Sequence, residues 1–407
     1  MSKLEQLINE LCPYGVEYRR LENCCEILDN KRKPVTKSAR EAGKYPYYGA
    51  NGIQDYVSNY IFDGTFILVG EDGSVVTEIG SPIVTWATGK IWVNNHAHII
   101  SEINGVLLRY LFHYLQTVPI KHLIHGNIPK LTGGDFRALK IAVPPLPVQK
   151  EIVRILDKFT ELTAELTAEL TARKQQYEYY KDKILTFEYD FVDWCELNDV
   201  IISLNTGLNP RKFFRLNTED AINYYVTIRE IHGGRILPTD KTDRINDEAL
   251  ALCNNRSNLE IGDVLFSGTG TIGETAVILE YPQNWNIKEG VYAIKPNKNR
   301  ILPKFLRYLL TATYIKAAYM KKVAGGTVKS IPMGELRKLK IPIPYPENKE
   351  KSLAEQQRIV DILDHFDRLC NDISEGLPAE IEARQKQYEY YRDKLLTFKK
   401  KEAAENE

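Results

Sequence analysis

The sequence predicts an α+β protein in which two similar globular domains are joined by two long helices, as a pseudo-twofold internal repeat. The prediction rests on an internal duplication, on heptad-like seams in the duplicated helical parts, and on the divergence of the parts between them. Three pairs of segments recur in the same order: 172–187 (ARKQQYEYYKDKILTF) with 383–398 (ARQKQYEYYRDKLLTF), 149–159 with 356–366, and 136–144 with 336–344. Ordered matches of this kind indicate a repeat architecture.

The duplication predicts how the chain is divided. The predicted segments are a first globular domain at 1–148, a central helical region at 149–187, a second globular domain at 188–353, a C-terminal helical region at 354–400 and a tail at 401–407. The helical regions resemble each other more closely than the globular domains do. This difference suggests that the helices share one task and that the globular domains have two different ones.

The helical regions carry apolar residues at steps of three and four. Region 149–187 contains no Gly or Pro, and its seam shows one four-residue insertion, while Gly376 and Pro378 predict a kink or break in the second region. Two similar seams are expected to pair as an antiparallel coiled coil, the alternative being that each helix covers only its own globular domain. The seam residues around the insertions are Leu162, Leu166, Leu170, Leu369, Ile373 and Leu377.

The insertion in the first seam lies in a short tandem repeat, TAEL at 163–166 and again at 167–170. One such unit adds about 6 Å to a helix. That length is close to two base-pair steps of DNA. The repeat is therefore interpreted as a ruler that sets a distance, although filler of high helix propensity would have the same composition.

The distribution of charged residues along the sequence is more informative than the net charge. The chain has 407 residues with 54 basic and 54 acidic side chains, and a neutral total argues against a nucleic-acid partner. However, residues 30–44 hold six basic side chains and one acidic one, and residues 316–340 hold seven and one. Basic loops interleaved with Gly, Asn and Tyr can anchor phosphates and read base edges, whereas the alternative is an ordinary solvated loop face.

The other motifs argue against a catalytic or metal-binding role for this chain. The GxGxxG match at 268–273 is followed by strand-like residues 274–279 and is interpreted as a turn between strands. The overlapping FxGxG match to an S-adenosylmethionine loop lacks the catalytic tetrapeptide of amino-methyltransferases. His96 and His98 are expected on one face of a strand, without a metal-ligand set. The six cysteines show no metal or disulfide spacing, and neither a signal peptide nor a membrane helix is expected.

These features together resemble the specificity subunit of type I restriction-modification systems. The resemblance is carried by PLPVQKEIVRIL and AEQQRIVDIL, by the paired QYEYYxDKxLTF ends and by the TAEL tandem. Similar motifs of the family's target recognition domains are YPYYGANGI at 45–53, VNNHAHII at 93–100 and GDVLFSGTGTIGETA at 262–276. The resemblance covers nearly the whole chain.

The resemblance implies a non-catalytic DNA reader in a prokaryotic cytoplasm, associated with the nucleoid. Each target recognition domain would read one half of a bipartite asymmetric site in double-stranded DNA, and the coiled coil would set the gap. The helices would bind two methyltransferase subunits, and restriction subunits with translocase activity would join the complex. S-adenosylmethionine, ATP and Mg would then belong to the partner subunits, with no cofactor, metal or catalytic residue in this chain.

Candidate DNA contacts follow from the basic and turn segments. The candidates are Lys31, Arg32, Lys33, Asn51, Asn127 and Lys130 in the first domain, and Thr206, Arg211, Lys212, Arg229, Thr327 and Lys329 in the second. Arg229 is a weaker candidate than the others, because it would also suit a structural salt bridge. Two alternative functions stay open at this point: a self-contained DNA modification enzyme using the GxGxxG segment, and a scaffold whose domains bind no DNA.

Overall fold

The computed structural model describes residues 2–187, 191–325, 328–371 and 376–401, without the side chains of Arg211 and Lys212. Within these ranges, no helix combines the length and the apolar character that crossing a membrane requires. Ile373 and Thr327, which were predicted as a seam residue and a DNA contact, lie outside the described residues.

The helices account for the connectors and for short elements around the sheets. The described chain contains α1 Lys3–Leu11, α2 Leu108–Leu115, α3 Gly133–Ala138, α4 Leu146–Leu185, α5 Leu197–Val200, α6 Pro210–Phe213, α7 Asp247–Ser257, α8 Pro303–Thr311, α9 Thr313–Met320, α10 Met333–Arg337, α11 Lys349–Asn371 and α12 Leu377–Leu395. Helix α4 is continuous over 40 residues, as the predicted first connector requires.

The strands fall into two sets, one before α4 in the sequence and one after it. The first set is β1 Glu17–Arg20, β2 Glu26–Ile27, β3 Ala42–Gly49, β4 Gly52–Val57, β5 Phe62–Gly70, β6 Val84–Val93, β7 Ala97–Ser101, β8 Ile124–His125, β9 Lys130–Leu131 and β10 Lys140–Val143. The second set is β11 Val192–Glu196, β12 Ile201–Thr206, β13 Asn223–Val226, β14 Ile231–His232, β15 Arg235–Ile236, β16 Arg244–Ile245, β17 Val264–Ser267, β18 Thr275–Val277, β19 Trp285–Ile287, β20 Val291–Pro296 and β21 Lys340–Pro344.

The chain folds into two compact units, each of which combines a globular part with parts of both connectors. Unit 1 comprises residues 1–166 and 381–407, and unit 2 comprises residues 167–380. Each unit therefore contains one globular part, the start of the connector that follows it and the end of the other connector. We call the globular parts the first body (residues 3–143) and the second body (residues 192–344).

The first body is built on a six-stranded sheet with the order β2-β7-β5-β6-β3-β4, next to the antiparallel pair β1-β10. Its core is closed by α2 and by the first turns of α4, where Val148, Ile152 and Leu156 are fully buried. The second body has a four-stranded sheet with the order β12-β20-β17-β18, a three-stranded sheet β16-β13-β19 and the pair β11-β21. The pairs β1-β10 and β11-β21 occupy corresponding places in the repeat, directly before their connectors.

In unit 1, helix α4 begins at the body and helix α12 ends at the same body. The Tyr18 hydroxyl on β1 donates to the Phe398 carbonyl just beyond α12 (3.1 Å), and Tyr18 pairs with Ala142 on β10. Farther along the helices, the rings of Phe159 and Tyr391 stack with centroids 5.3 Å apart. The two helices therefore run in opposite directions, which confirms the predicted antiparallel pairing within this unit.

Unit 2 repeats this arrangement with the roles of the two connectors exchanged. Helix α11 follows β21, and the end of α4 returns to the body, where the Tyr314 hydroxyl donates to the Leu185 carbonyl (2.8 Å). Tyr180 of α4 stacks on Phe366 of α11 with centroids 6.3 Å apart. Phe366 and Tyr180 are the repeat equivalents of Phe159 and Tyr391, so the same ring pair joins the helices in each unit.

A buried glutamine fixes each connector to its own body. Gln149 accepts a hydrogen bond from the Leu107 amide (2.9 Å) and donates to the Pro144 carbonyl (2.7 Å). Gln356 likewise accepts from the Leu302 amide (2.9 Å) and donates to the Arg300 carbonyl (3.0 Å). Because both side chains are fully buried, these bonds satisfy backbone groups that water cannot reach.

The second connector is interrupted where Gly376 and Pro378 predict it. Helix α11 ends at Asn371 and α12 begins at Leu377, so Pro378 lies in the first turn of α12, where its missing amide proton costs little. The seam residues Leu162, Leu166, Leu170 and Leu369 are half-buried, and Leu377 is buried.

A titratable contact holds α12 in unit 1. The buried His113 ring lies 2.8 Å from Asp157 of α4 through Nε2 and 2.9 Å from the Tyr388 hydroxyl of α12 through Nδ1. Burial lowers the pKa of His113, although the hydrogen bond to Asp157 acts in the opposite direction. The folded unit therefore favours the neutral imidazole.

This shift predicts that unit 1 loses stability in mild acid. The unfolded chain binds a proton near pH 6.5 that folded His113 resists, so the free energy of unfolding falls as the pH drops below about 6.5 and through the folded pKa. Urea unfolding at about pH 7.5 and about pH 5.5 should show this loss, and His113→Gln should reduce it. His122→Gln, which changes an exposed histidine of the same body, should leave the loss unchanged. An equal loss in His113→Gln would contradict the assignment.

Candidate nucleic-acid interface

Two backbone segments lie side by side at the end of β5 in the first body. The Leu131 amide donates to the Glu71 carbonyl (2.8 Å), and the Gly73 amide donates to the Pro129 carbonyl (2.9 Å). We call Glu71–Gly73 and Asn127–Leu131 the first loop pair. It brings the predicted residues Asn127 and Lys130, both exposed, next to the end of a central strand.

The other predicted residues of the first body surround this loop pair. The Glu71 amide donates to the His96 carbonyl (2.9 Å), and the Lys33 amide donates to the Val93 carbonyl (3.2 Å) just before that turn. A Cβ on Gly70 would lie 3.0 Å from the Ala50 carbonyl, which places the turn carrying Asn51 beside the end of β5. Lys31, Lys33 and Asn51 are exposed, so the structure gathers them with Asn127 and Lys130 on one surface.

Arg32 has a different role from its neighbours in sequence. Its side chain is only 12% exposed, and Nη1 donates to Glu71 Oε2 (2.6 Å) and to the Ala97 carbonyl (2.7 Å). Lys130 Nζ lies 3.2 Å from the other oxygen of the same carboxylate. Arg32 therefore joins the basic segment to the first loop pair from inside the body.

A buried histidine completes this network. The Nδ1 atom of His98 lies 2.7 Å from Asp29 Oδ2, and its Nε2 atom lies 3.1 Å from the Leu131 carbonyl oxygen. The His98 ring stacks on the Phe136 ring. Burial would raise the pKa of Asp29, but the hydrogen bonds from His98 and the Ile99 amide and the charge of Arg32 bring it below its usual value. His96, which was predicted on the same strand face, instead lies in the exposed turn before β7.

Three groups of this network could in principle hold a metal ion. One ligand atom each from Asp29, Glu71 and His98 lies within 4.8 Å of the others. Arg32 and Lys130 already balance the Glu71 carboxylate, and His98 bonds to Asp29. These contacts between protein groups explain why the three ligand atoms lie so close together.

The second body contains a corresponding loop pair at the end of β17. The Ile331 amide donates to the Gly268 carbonyl (2.9 Å), and the Gly270 amide donates to the Lys329 carbonyl (2.9 Å). We call Gly268–Gly270 and Lys329–Ile331 the second loop pair. Lys329 is exposed, and the alignment of FRALKIAVP with LRKLKIPIP places Ile331 at the position of Leu131.

Further predicted residues adjoin the second loop pair. The Gly268 amide donates to the Gly290 carbonyl (2.8 Å), and the Glu289 amide donates to the Leu208 carbonyl (3.2 Å). Helix α6, whose residues include Arg211 and Lys212, follows directly. Thr206 is buried, and its hydroxyl donates to the Val291 carbonyl (3.1 Å) and accepts from the Gly290 amide (3.2 Å). Thr206 thus supports this surface from within the body.

Arg229 lies three residues beyond β13, whose end adjoins the same segment because the Lys288 amide donates to the Val226 carbonyl (2.8 Å). Its Nη2 donates to Asp243 (3.0 Å), yet the side chain remains 61% exposed. The predicted salt bridge is present, and the guanidinium also faces solvent.

The GxGxxG segment is a turn between antiparallel strands, as its sequence context predicts. It joins β17 to β18, which pair from Val264 with Val277 to Phe266 with Thr275. A Cβ on Gly268 would lie 2.2 Å from the Tyr292 ring, and a Cβ on Gly273 would lie 2.1 Å from the Tyr319 hydroxyl. These glycines allow the turn to pack on two buried tyrosines of its own body.

The sequence-based prediction names exposed residues near both loop pairs but not the residues that support them. Glu71 and Tyr292 received no role, His98 was considered only as a strand residue without a metal-ligand set, and Arg32 and Thr206 were predicted as DNA contacts. The sequence did contain a signal for two of them. His98 lies within the family-like motif VNNHAHII, and Glu71 directly follows the strand-like segment 64–70. Their partners, however, are about 30 to 70 residues distant in the chain.

Comparison with known proteins agrees with the duplicated architecture. The family model described as the type I restriction modification DNA specificity domain matches twice, at residues 13–173 and 192–383. A putative type I restriction enzyme specificity subunit of Haemophilus influenzae is 37% identical over 394 residues, covering 94% of this chain and 96% of the relative. The EcoR124I/EcoR124II specificity subunit of Escherichia coli is 35% identical over 313 residues, covering 74% of each.

Solved structures show the same fold at low sequence identity. The S subunit of a type I restriction-modification system from M. genitalium aligns with a TM-score of 0.54 at 14% identity, covering 94% of this chain and 96% of that one. A chain from a structure of type I restriction-modification complex assembly aligns with a TM-score of 0.57 at 15% identity, covering 94% and 98%. With both model matches and full-length relatives in agreement, the chain belongs to the type I restriction-modification DNA specificity family.

Proposed function

We propose that this chain is the non-catalytic DNA-reading subunit of a type I restriction-modification complex in a prokaryotic cytoplasm. Each body reads one half of a bipartite, asymmetric site in double-stranded DNA, and the paired connectors set the gap. The observation that carries this proposal is the presence of equivalent loop pairs at equivalent strand ends, with different side chains. Asp72 and Lys130, which face each other in the first pair, correspond to Thr269 and Ser330 in the second, as expected for two readers of different sequences.

The exposed residues around each loop pair are the proposed contacts. In the first body these are Lys31, Lys33, Asn51, Asn127 and Lys130, and in the second body Arg229 and Lys329. From the sequence alone, Arg211, Lys212 and Thr327 are proposed as further contacts of the second body. Lysine and arginine hold phosphates, while asparagine and threonine approach base edges in the grooves. Arg32 and Thr206 act as internal supports.

The chemistry belongs to partner subunits in this proposal. S-adenosylmethionine is held by methyltransferase subunits, and ATP and Mg by restriction subunits. The packing of Gly268 and Gly273 on buried tyrosines supports this division, because the turn that resembles a cofactor loop is occupied by its own body. Methylation of DNA by the purified chain alone would instead favour a self-contained enzyme.

The half-site assignment is tested by exchanging one body. Replacing residues 1–148 by those of a relative that recognises another sequence should change one half of the methylated motif, because each half is read by its own loop pair. Methylome sequencing of cells with the hybrid complex measures this directly. The matched exchange of residues 188–353 should change the other half. A change in both halves from a single exchange would contradict the assignment.

The phosphate contacts predict a specific salt dependence. Lys33→Ala removes one exposed cation beside the first loop pair, so the slope of log affinity against log salt concentration should fall by about one. Affinity should weaken similarly for cognate and non-cognate duplexes, since phosphates carry no base identity. Lys158→Ala, which removes an exposed connector lysine paired with Glu161, is the control. Equal slopes for the two variants, measured by titration of the assembled complex, would exclude the contact.

The connectors carry two matching exposed faces that suit two copies of one partner. Tyr179 in unit 2 and Tyr390 in unit 1 are repeat equivalents, and each is 61% exposed. Each forms an edge-to-face pair with the next tyrosine, at 5.3 Å for Tyr180 and 5.2 Å for Tyr391. Exposed aromatic rings gain little from folding, and aromatic residues are enriched where partners bind. The similarity of these two faces supports the proposed binding of two methyltransferase subunits.

Single substitutions should separate the two docking faces. Tyr179→Ala and Tyr390→Ala should each weaken one methyltransferase site, by about thirtyfold if the ring is a hot spot, while the double variant weakens both. Native mass spectrometry at limiting methyltransferase concentration would count the bound subunits. Tyr281→Ala, which removes a ring that is 65% exposed on the second body, is the control. Two tightly bound subunits in the double variant would contradict this docking mode.

A further inference from the structure

One backbone carbonyl in each loop pair is held from inside the body by an aromatic side chain. In the first body the Leu131 carbonyl lies 3.1 Å from His98 Nε2. In the second body the equivalent Ile331 carbonyl accepts from the Tyr292 hydroxyl at 2.7 Å. Leu131 and Ile331 end their loops and precede helices α3 and α10, so these carbonyls mark where each loop joins its body.

The two donors come from corresponding strands and from the same register position. His98 lies on β7 opposite Val69 of β5, and Tyr292 lies on β20 opposite Phe266 of β17. The Glu71 amide donates to the His96 carbonyl and the Gly268 amide to the Gly290 carbonyl, so the positions two residues farther along, His98 and Tyr292, are equivalent. The bodies thus make the same bond from equivalent positions with different residue types. The bond is common to both bodies although the side chain is not.

We propose that His98 and Tyr292 are equivalent positioning residues, each holding the loop that reads one half of the DNA site. This inference rests on the proposed function and assigns its specificity to two buried side chains that touch no DNA. A loop held at its carbonyl presents its exposed side chains in one geometry. Released from that bond, the loop would present them in several geometries, and the distinction between right and wrong bases would weaken.

The surroundings of each donor suit this role. Both ring nitrogens of His98 have a hydrogen-bond partner, Nδ1 with Asp29 Oδ2 and Nε2 with the Leu131 carbonyl oxygen. The charged groups around the ring are Asp29 and Glu71, with Arg32 and Lys130 on their carboxylates and Arg137 on the adjoining turn of α3. A hydrogen bond to an ionised carboxylate such as Asp29 is stronger than one between neutral groups.

Tyr292 holds its carbonyl through a hydroxyl group. Burial raises the pKa of Tyr292, so its hydroxyl keeps the proton that it donates. Its ring packs on Phe266 with centroids 6.4 Å apart, and it lies so close to Gly268 that a Cβ there would clash at 2.2 Å. The ring therefore touches one loop of the second pair while its hydroxyl holds the other.

The test uses the full chain assembled with its methyltransferase subunits. Once the methylome gives the recognised motif, methylation rates are compared on duplexes carrying the cognate site or a single mismatch in either half. Tyr292→Phe removes only the hydroxyl, and its discrimination against mismatches should fall by about tenfold in the half read by the second body. His98→Phe keeps a stacking ring and should have the same effect on the other half alone.

Two further variants separate positioning from folding of the first body. The amide nitrogen of glutamine can take the place of imidazole Nε2, and that of asparagine the place of Nδ1. His98→Gln should therefore retain discrimination, while His98→Asn, which can still bond Asp29, should lose it. Retention by Asn with loss by Gln would overturn the role of the Leu131 carbonyl, as would unchanged discrimination in both His98→Phe and Tyr292→Phe. Failure of the half-site assignment itself would appear separately, in the exchange of whole bodies.

Discussion

The architecture depends on one packing constraint: each unit is completed by a helix that belongs to the other half of the repeat. Phe159 stacks on Tyr391 in unit 1, and their repeat equivalents Phe366 and Tyr180 stack in unit 2. Helix α12, at the end of the chain, contributes Tyr388 to the core of the unit that contains the N-terminal residues. Because each connector contributes one end to each unit, divergence along a whole connector would disturb the packing of both units.

The loops of the globular bodies are not subject to this packing constraint, so their exposed side chains can vary. Gln149 and Gln356 hold the connector starts by matching bonds, and the loop pairs close by matching backbone bonds. Backbone bonds do not depend on side-chain identity, so the exposed residues between them are free to differ. A fixed frame with variable side chains is what a family of readers with different sequence preferences requires, since loops on a rigid scaffold carry function.

The sequence predicts the parts of this molecule whose signals are local. The helical connectors follow from periodicity, the break before α12 follows from Gly376 and Pro378, and the exposed loops follow from clustered charge. The misassigned residues have distant partners: Arg32 bonds to Glu71, and Thr206 to Val291. A basic residue in a basic segment looks the same in sequence whether its partner is a phosphate or a carboxylate brought close by folding. The division into two units has no local signal either, because contacts such as the stacking of Phe159 on Tyr391 join segments more than two hundred residues apart.

The neutral total charge is consistent with this separation of roles. Some basic residues near the first loop pair form internal ion pairs, as Arg32 does with Glu71. Charged residues of the connectors also pair with each other, as Lys158 does with Glu161. Buried pairs are screened little by salt, whereas exposed cations such as Lys33 are screened strongly. The geometry of the first loop pair should therefore persist at salt concentrations that weaken DNA binding. Affinity and the positioning of the reading loops then rest on two sets of charges in the same body, which share Lys130.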